Sequence, residues 1–133
     1  MRVLAITGAG RGCCAGWDLA PPLTRRDGQA LEGEPTVADL MAGQELFAGM
    51  VRRLRALDKV VVAAVNGVAV GAGFAITLGA DIRVAARSAS FHVGAVRIGL
   101  TAGECGISYH LPRLVGASRA FELMLTGRPL PAE

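Results

Sequence analysis

At 133 residues the chain has room for one domain that buries about two thirds of its unfolded surface, and 52% apolar against 19% charged residues mark globular rather than disordered material. Its apolar runs are too short to cross a bilayer, it shows no charged leader with a cleavage site, and no basic tract is interleaved with its few aromatic residues, so neither a membrane span, a signal peptide nor nucleic-acid binding is expected. The net charge of +3 is almost all arginine, Lys59 being the only lysine, and three cysteines with Cys13 beside Cys14 suit reduced thiols in the cytoplasm better than a disulfide framework.

Arg2–Thr7 reads as a buried strand, and a strand opening so early predicts further sequence upstream. Gly8-Ala9-Gly10-Arg11-Gly12 breaks it. The third glycine of a dinucleotide loop should fall at position 13, which is Cys13, so a Rossmann reading is weak. A second small-residue turn follows at Cys13–Leu19, with no histidine near to make its cysteines a zinc site. Residues 20–36, with Pro21, Pro22, Gly28, Gly33 and Pro35, read as a mobile surface loop in which Arg25 and Arg26 suit either phosphate contacts or solvation. Leu40, Phe47, Met50, Val51, Leu54 and Leu57 then recur at helical spacing. This predicts a core-covering helix capped by Thr36 or Asp39 and ending near Asp58.

Val60–Val65 is an unbroken apolar run that breaks at Asn66-Gly67 and passes through Gly71-Ala72-Gly73 into another apolar segment, Ala75–Ala80. A buried strand turning into a helix is the simplest reading. The first amides of such a helix lack partners and carry partial positive charge, so they suit an oxygen gaining negative charge. A tight strand-to-helix turn without a ligand accounts for the glycines equally well. Beyond it, Asp81–Ala85 and Phe91–Val93 read as short strands and Gly99–Gly106 as a glycine-bearing turn. Ile107–Leu111 predicts a helix that Pro112 interrupts. A further helix over Gly116–Leu125 opens near Ser118 and closes at Gly127, and Pro129–Glu133 reads as a linker.

Taken in order, Thr7-Gly8-Ala9-Gly10 with Cys14–Leu19, Val62–Gly67 through Gly71–Phe74, Asp81-Ile82-Arg83, Gly99-Leu100, Leu111-Pro112-Arg113 and Leu125-Thr126-Gly127-Arg128 resemble the crotonase superfamily, the enoyl-CoA hydratase/isomerase family, over essentially the whole chain. The resemblance implies an α/β fold of the ClpP/crotonase type. This is a spiral of ββα units, incomplete at both ends here, with residues 1–133 as the central part of a single domain. It implies an acyl-CoA thioester of fatty-acid metabolism as ligand, whose carbonyl oxygen is held by the backbone N–H groups of Trp17 and Ala72. Ala15, Gly16, Asp18, Gly71, Gly73 and Ala95 are then the expected substrate-binding positions. It implies no metal, no cofactor beyond the coenzyme A of the substrate, and a homotrimer or dimer of trimers for full-length members.

Family hydratases use two glutamates to position water, and carried over position by position these fall on Ala75 and Ala95, which transfer no proton. Glu104 stands where some family isomerases carry an acidic residue facing the acyl chain. Against an apolar pocket its pKa would rise into a range useful for proton transfer; alternatively it is a helix-start glutamate stabilised by the dipole. Isomerase-type proton transfer by Glu104 is therefore the expected chemistry, with hydration or a catalytically impaired acyl-CoA-binding subunit as alternatives. His92 and His110 are titratable candidates that suit structural roles as well, and Cys105 has no evident base. Tyr109 and Arg113 have the spacing of a short-chain dehydrogenase pair, with arginine in place of the required lysine.

Overall fold

The computed structural model describes residues 2–19, 34–103 and 105–133. The chain runs β1 (Val3–Thr7), α1 (Val37–Arg55), β2 (Val60–Val65), β3 (Ala69–Val70), α2 (Ala72–Gly79), β4 (Ile82–Ala85), β5 (Ser90–His92), a 3-10 turn (Ala95–Ile98), α3 (Ile107–Val115), α4 (Ala117–Thr126) and β6 (Leu130–Pro131). Residues 20–33, with Arg25 and Arg26 of the expected loop, lie outside the described residues.

β1, β2 and β4 form a parallel sheet in the order β1-β2-β4, with Val3 opposite Val60 and Val62 opposite Ile82. β3 pairs in parallel with β5, which pairs antiparallel with β6, and a bridge from Cys14 to Ala69 joins this second sheet. The connectivity has a repeat. β2, β3 and α2 make one ββα unit; β4, β5 and α3 make the next; β1, the Cys14 bridge and α1 stand in the same relation. Each unit gives one strand to either sheet, which is the expected spiral.

Period-2 alternation decides which face of β2 is covered: Val61, Ala63 and Val65 are buried against Phe74, Ala75 and Leu78 of α2 and their neighbours. The opposite face is also apolar, the pattern of a parallel strand covered on both sides. Among the described residues it is open, with Val3 48%, Val60 44%, Ile82 51% and Val84 61% exposed.

Thr36 and Asp39 both cap α1, in a reciprocal box. The Thr36 hydroxyl accepts from the Asp39 amide at 3.2 Å, and the Asp39 carboxylate accepts from the Thr36 amide at 3.1 Å. Arg52, Arg53 and Arg55 in the last turn complement the helix dipole. The helix stops at Arg55, before the expected Asp58. Its stripe is core only at the C-terminal end, where Val51 is buried and Leu54 packs beside it, whereas Leu40 is 52% exposed.

Two further expectations are corrected. Pro112 does not interrupt α3, because its missing N–H frees only the carbonyl of Ser108, an exposed residue that water reaches. The tail is not a linker in the structure: Leu130 pairs with Phe91, and the Ala132 amide donates to the Ala89 carbonyl at 3.0 Å. α4 opens at Ala117, one residue before the expected Ser118, and closes at Gly127 with φ +61°.

Candidate active site

The first glycine turn is tied down by one side chain. Asn66, where β2 ends, accepts from the Gly8 amide at 3.0 Å and the Thr7 hydroxyl at 3.4 Å through Oδ1. Its Nδ2 donates to the carbonyls of Gly10 at 2.9 Å and Gly12 at 3.2 Å. The Gly8–Gly12 loop is thus occupied by its own chain, not arranged as a phosphate cradle. The next residues are stitched alongside β3: the Cys13 and Cys14 amides donate to the Val68 carbonyl at 3.0 and 3.2 Å, and the Val70 amide donates to the Cys14 carbonyl at 2.9 Å. That pairing carries Ala15, Gly16 and Trp17 up to the start of α2.

There the two loops meet at van der Waals distance. Gly16 has φ +90°, and a Cβ added to it would stand 2.7 Å from the Val70 carbonyl oxygen and 3.4 Å from the Ala72 nitrogen. Gly71, at φ +51° and ψ −116°, turns the chain into α2, a conformation open to glycine and costly to other residues. Gly73 lies under Cys14, whose carbonyl oxygen would be 2.3 Å from an added Cβ. Ala72 is the first residue of α2, and the first bond across that turn is from the Ala75 amide to the Gly71 carbonyl at 2.9 Å. Among the described residues, neither the Trp17 nor the Ala72 amide is a donor in the turn and loop hydrogen bonds.

Trp17 and Ala72 both line a cavity of about 430 Å³. Ala15, Gly16 and Trp17 line it from the first loop, and Val70, Gly71 and Ala72 from the second. Val93, Gly94 and Ala95 form another wall, and Leu40, Gln44 and Phe47 of α1 close over it. The Trp17 and Phe47 rings lie 4.8 Å apart, tilted by 40°. Such a cavity, apolar apart from a few groups, suits an acyl chain with its carbonyl near the loop amides.

Of the residues expected from sequence, Ala15, Gly16, Trp17, Gly71, Ala72 and Ala95 are brought together here. Gly73 is buried against Cys14, and Asp18 is exposed on the loop beyond; neither is among the lining residues. Glu104 lies outside the described residues, while Ala102 and Cys105 on either side of it line the cavity. Of the two positions on which the resemblance places the hydratase glutamates, Ala75 is packed in the core, 1% exposed, and Ala95 lines the cavity. Among the described residues, no group of three or more His, Cys, Asp and Glu side chains is placed to hold a metal, and no helix is long and apolar enough to cross a membrane.

Neither His92 nor His110 is among the residues lining the cavity. His92 lies in β5 with Nε2 2.9 Å from the Ser90 hydroxyl, its pKa lowered first by burial and then by Arg97. His110 on α3 is held low by burial and by Arg55, Arg113 and Arg83. Burial is also the first cause that pushes the Cys13 thiol up, with Cys14 the second. Arg113 stacks 3.7 Å over the Tyr109 ring and donates to the Tyr109 carbonyl at 2.6 Å, so this pair is a surface brace. Sequence reasoning missed Asn66 as the brace and α1 as a cavity wall. An asparagine directly after an all-apolar strand was the available signal for the first; the second had none, since lining and core residues share one helical stripe.

The profile for the family described as enoyl-CoA hydratase/isomerase matches residues 1–133. A probable enoyl-CoA hydratase of Mycobacterium bovis is 47% identical over 133 residues, covering 100% of this chain and 46% of that protein. The 1,2-epoxyphenylacetyl-CoA isomerase of Escherichia coli is 44% identical over 133 residues, covering 100% of this chain and 48% of that one. A Thermobifida fusca protein solved in complex with CoA has a similar structure, with a TM-score of 0.83 and 34% identity over 98% of this chain and 50% of its own. The chain spans about half the length of the curated relatives it matches. Its ββα units are those of the crotonase fold, and with two glycine loops meeting at an apolar cavity, the chain belongs to the enoyl-CoA hydratase/isomerase family.

Proposed function

We propose that this chain carries the thioester-binding centre of an acyl-CoA enzyme and that its chemistry is a double-bond isomerisation. The carbonyl oxygen of the thioester accepts hydrogen bonds from the Trp17 and Ala72 amides. These strengthen as the Cα–H bond breaks and the oxygen takes up enolate charge. Glu104 removes the proton from one carbon and returns it to another, so water is neither added nor lost. No cofactor takes part beyond the coenzyme A of the substrate. The reading extends to a whole protein in which residues 1–133 are the central part of one domain, assembled as a homotrimer or dimer of trimers in the cytoplasm.

The observation that supports this reading is the approach of Gly16, the neighbour of Trp17, to the Ala72 nitrogen beside the apolar cavity, with neither the Trp17 nor the Ala72 amide a donor in the loop hydrogen bonds among the described residues. The alanines at 75 and 95 favour isomerisation over hydration, since neither activates water. A specific observation supports a second reading: among the described residues no carboxylate lines the cavity, which suits a non-catalytic acyl-CoA binder. Incubation with a 3-enoyl-CoA, followed by the absorbance of the conjugated 2-enoyl thioester, separates the two. Turnover should fall by about 10²-fold or more in Glu104→Gln. An unchanged rate removes Glu104 from the mechanism, and thioester binding without turnover in the parent favours the binder.

A further inference from the structure

Two of the chain's six aromatic residues, Trp17 and Phe47, line the cavity between the loops, and their rings touch. The centroids are 4.8 Å apart at an interplanar angle of 40°. Trp17 comes from the first loop and Phe47 from the middle of α1, so the contact makes one aromatic corner where loop and helix meet. Phe74 and Phe91, whose rings also meet, pack with the core instead and are not among the lining residues. Much of the remaining wall is aliphatic or small. Val70, Val93 and Ile107 supply branched side chains, while Gly94, Ala95 and Ala102 carry a methyl group or less and leave width.

An unbranched acyl chain draws on buried area alone, which aliphatic walls supply as well as aromatic ones. A phenyl ring gains more against Trp17 and Phe47, because the positive edge of one ring meets the negative face of another in tilted or offset pairs. We infer that this corner makes the centre selective for acyl groups that carry an aromatic ring, an inference that rests on the thioester reading above. Trp17 also fixes where along the acyl group the ring belongs. In that reading its amide holds the thioester carbonyl, and its indole is only two torsions from the same backbone. The favoured ring therefore lies about two carbons beyond the carbonyl, not at the end of a long chain.

Calorimetry with 3-phenylpropanoyl-CoA and 3-cyclohexylpropanoyl-CoA tests it without turnover. The two thioesters share one carbon skeleton, and the saturated ring buries at least as much apolar area, so burial alone gives the phenyl compound no advantage. The native chain should bind the phenyl thioester about three- to tenfold more tightly. Phe47→Leu and Trp17→Leu should each lower that ratio by about twofold or more, and Phe47→Tyr, which keeps a ring in place, should retain it. Equal affinities in the native protein, or tighter binding of the cyclohexyl compound, overturn the inference while leaving the thioester reading intact. So does a ratio unchanged in both leucine variants, since the corner is then not its source. If neither thioester binds the native protein, the thioester reading itself fails and this inference falls with it.

Discussion

Gly73 separates helix propensity from tertiary fit. As the second residue of α2 it is a position where alanine should stabilise the helix by about 0.8–1 kcal/mol. The added methyl, however, would stand 2.3 Å from the Cys14 carbonyl oxygen and 2.7 Å from the Cys14 Cβ, about 1 Å inside ordinary contact. The first obstacle is backbone and cannot swing aside, so the first loop must move, and overpacking of this kind costs about 1–3 kcal/mol or more. The clash wins: Gly73→Ala should lose about 1–2 kcal/mol net, or about 4 °C in Tm per kcal/mol at this size. Gly43→Ala in α1 is the matched control, because nothing lies within 4 Å of its added methyl, and it should gain about 1 kcal/mol. Urea unfolding followed by far-UV dichroism and by the fluorescence of Trp17, the sole tryptophan, reads both. The displaced Cys14 also drags Ala15–Trp17, so acyl-CoA binding should weaken in Gly73→Ala alone. A Gly73→Ala variant as stable as the parent would refute the close apposition of the two loops.

Asn66→Ala should cost about 1–3 kcal/mol, because the part-buried Gly8 amide and Gly12 carbonyl lose their partner. Asn66→Asp should cost as much at neutral pH, since a carboxylate oxygen then faces the Gly10 and Gly12 carbonyls, and should recover as the acid is protonated; a pH-independent loss would argue against the brace. Asp81 accepts from the Val61 amide at 2.8 Å and from Arg55 at 2.7 Å, and the Val61 N–H is the first cause holding its carboxyl below the ordinary range. Its contribution is therefore complete above the ordinary aspartate pKa of about 3.9 and is lost as pH falls through the lower folded-state value. Thermal melts from neutral to acid pH should show a shallower acid limb in Asp81→Asn, and an unaltered limb would dismiss this pairing as a source of stability.

The parts of the fold that local chemistry dictates were readable in the chain. Val60–Val65 had to be a strand because every residue in it is apolar and mostly β-branched, and Thr36 with Asp39 announced a helix start three residues apart. The glycines at 67, 71 and 73 pointed to close backbone approach, although each meets a different neighbour: Gly67 the Arg11 carbonyl, Gly71 the turn into α2, and Gly73 the underside of Cys14. What depended on partners far along the chain was hidden. Leu40 and Phe47 share a stripe with Val51, and only the tertiary placement of α1 turns the first two toward the cavity. Leu130 between two prolines looks like linker until Phe91 is beside it.

The proposed convergence of two peptide nitrogens on one thioester oxygen is tested most directly on the carbonyl itself. Ala72 occupies the first helical position, where proline is tolerated because its missing N–H has no intrahelical acceptor, so Ala72→Pro deletes one donor while keeping the helix. The measurement is the carbonyl resonance of butanoyl-CoA labelled with carbon-13 at C1, recorded free, bound to the native chain and bound to Ala72→Pro of unchanged far-UV dichroism. A downfield shift on binding that shrinks in the variant, with turnover of a 3-enoyl-CoA lowered by about 10²–10³-fold, is the predicted result. A carbonyl shift of the same size in both proteins would contradict it.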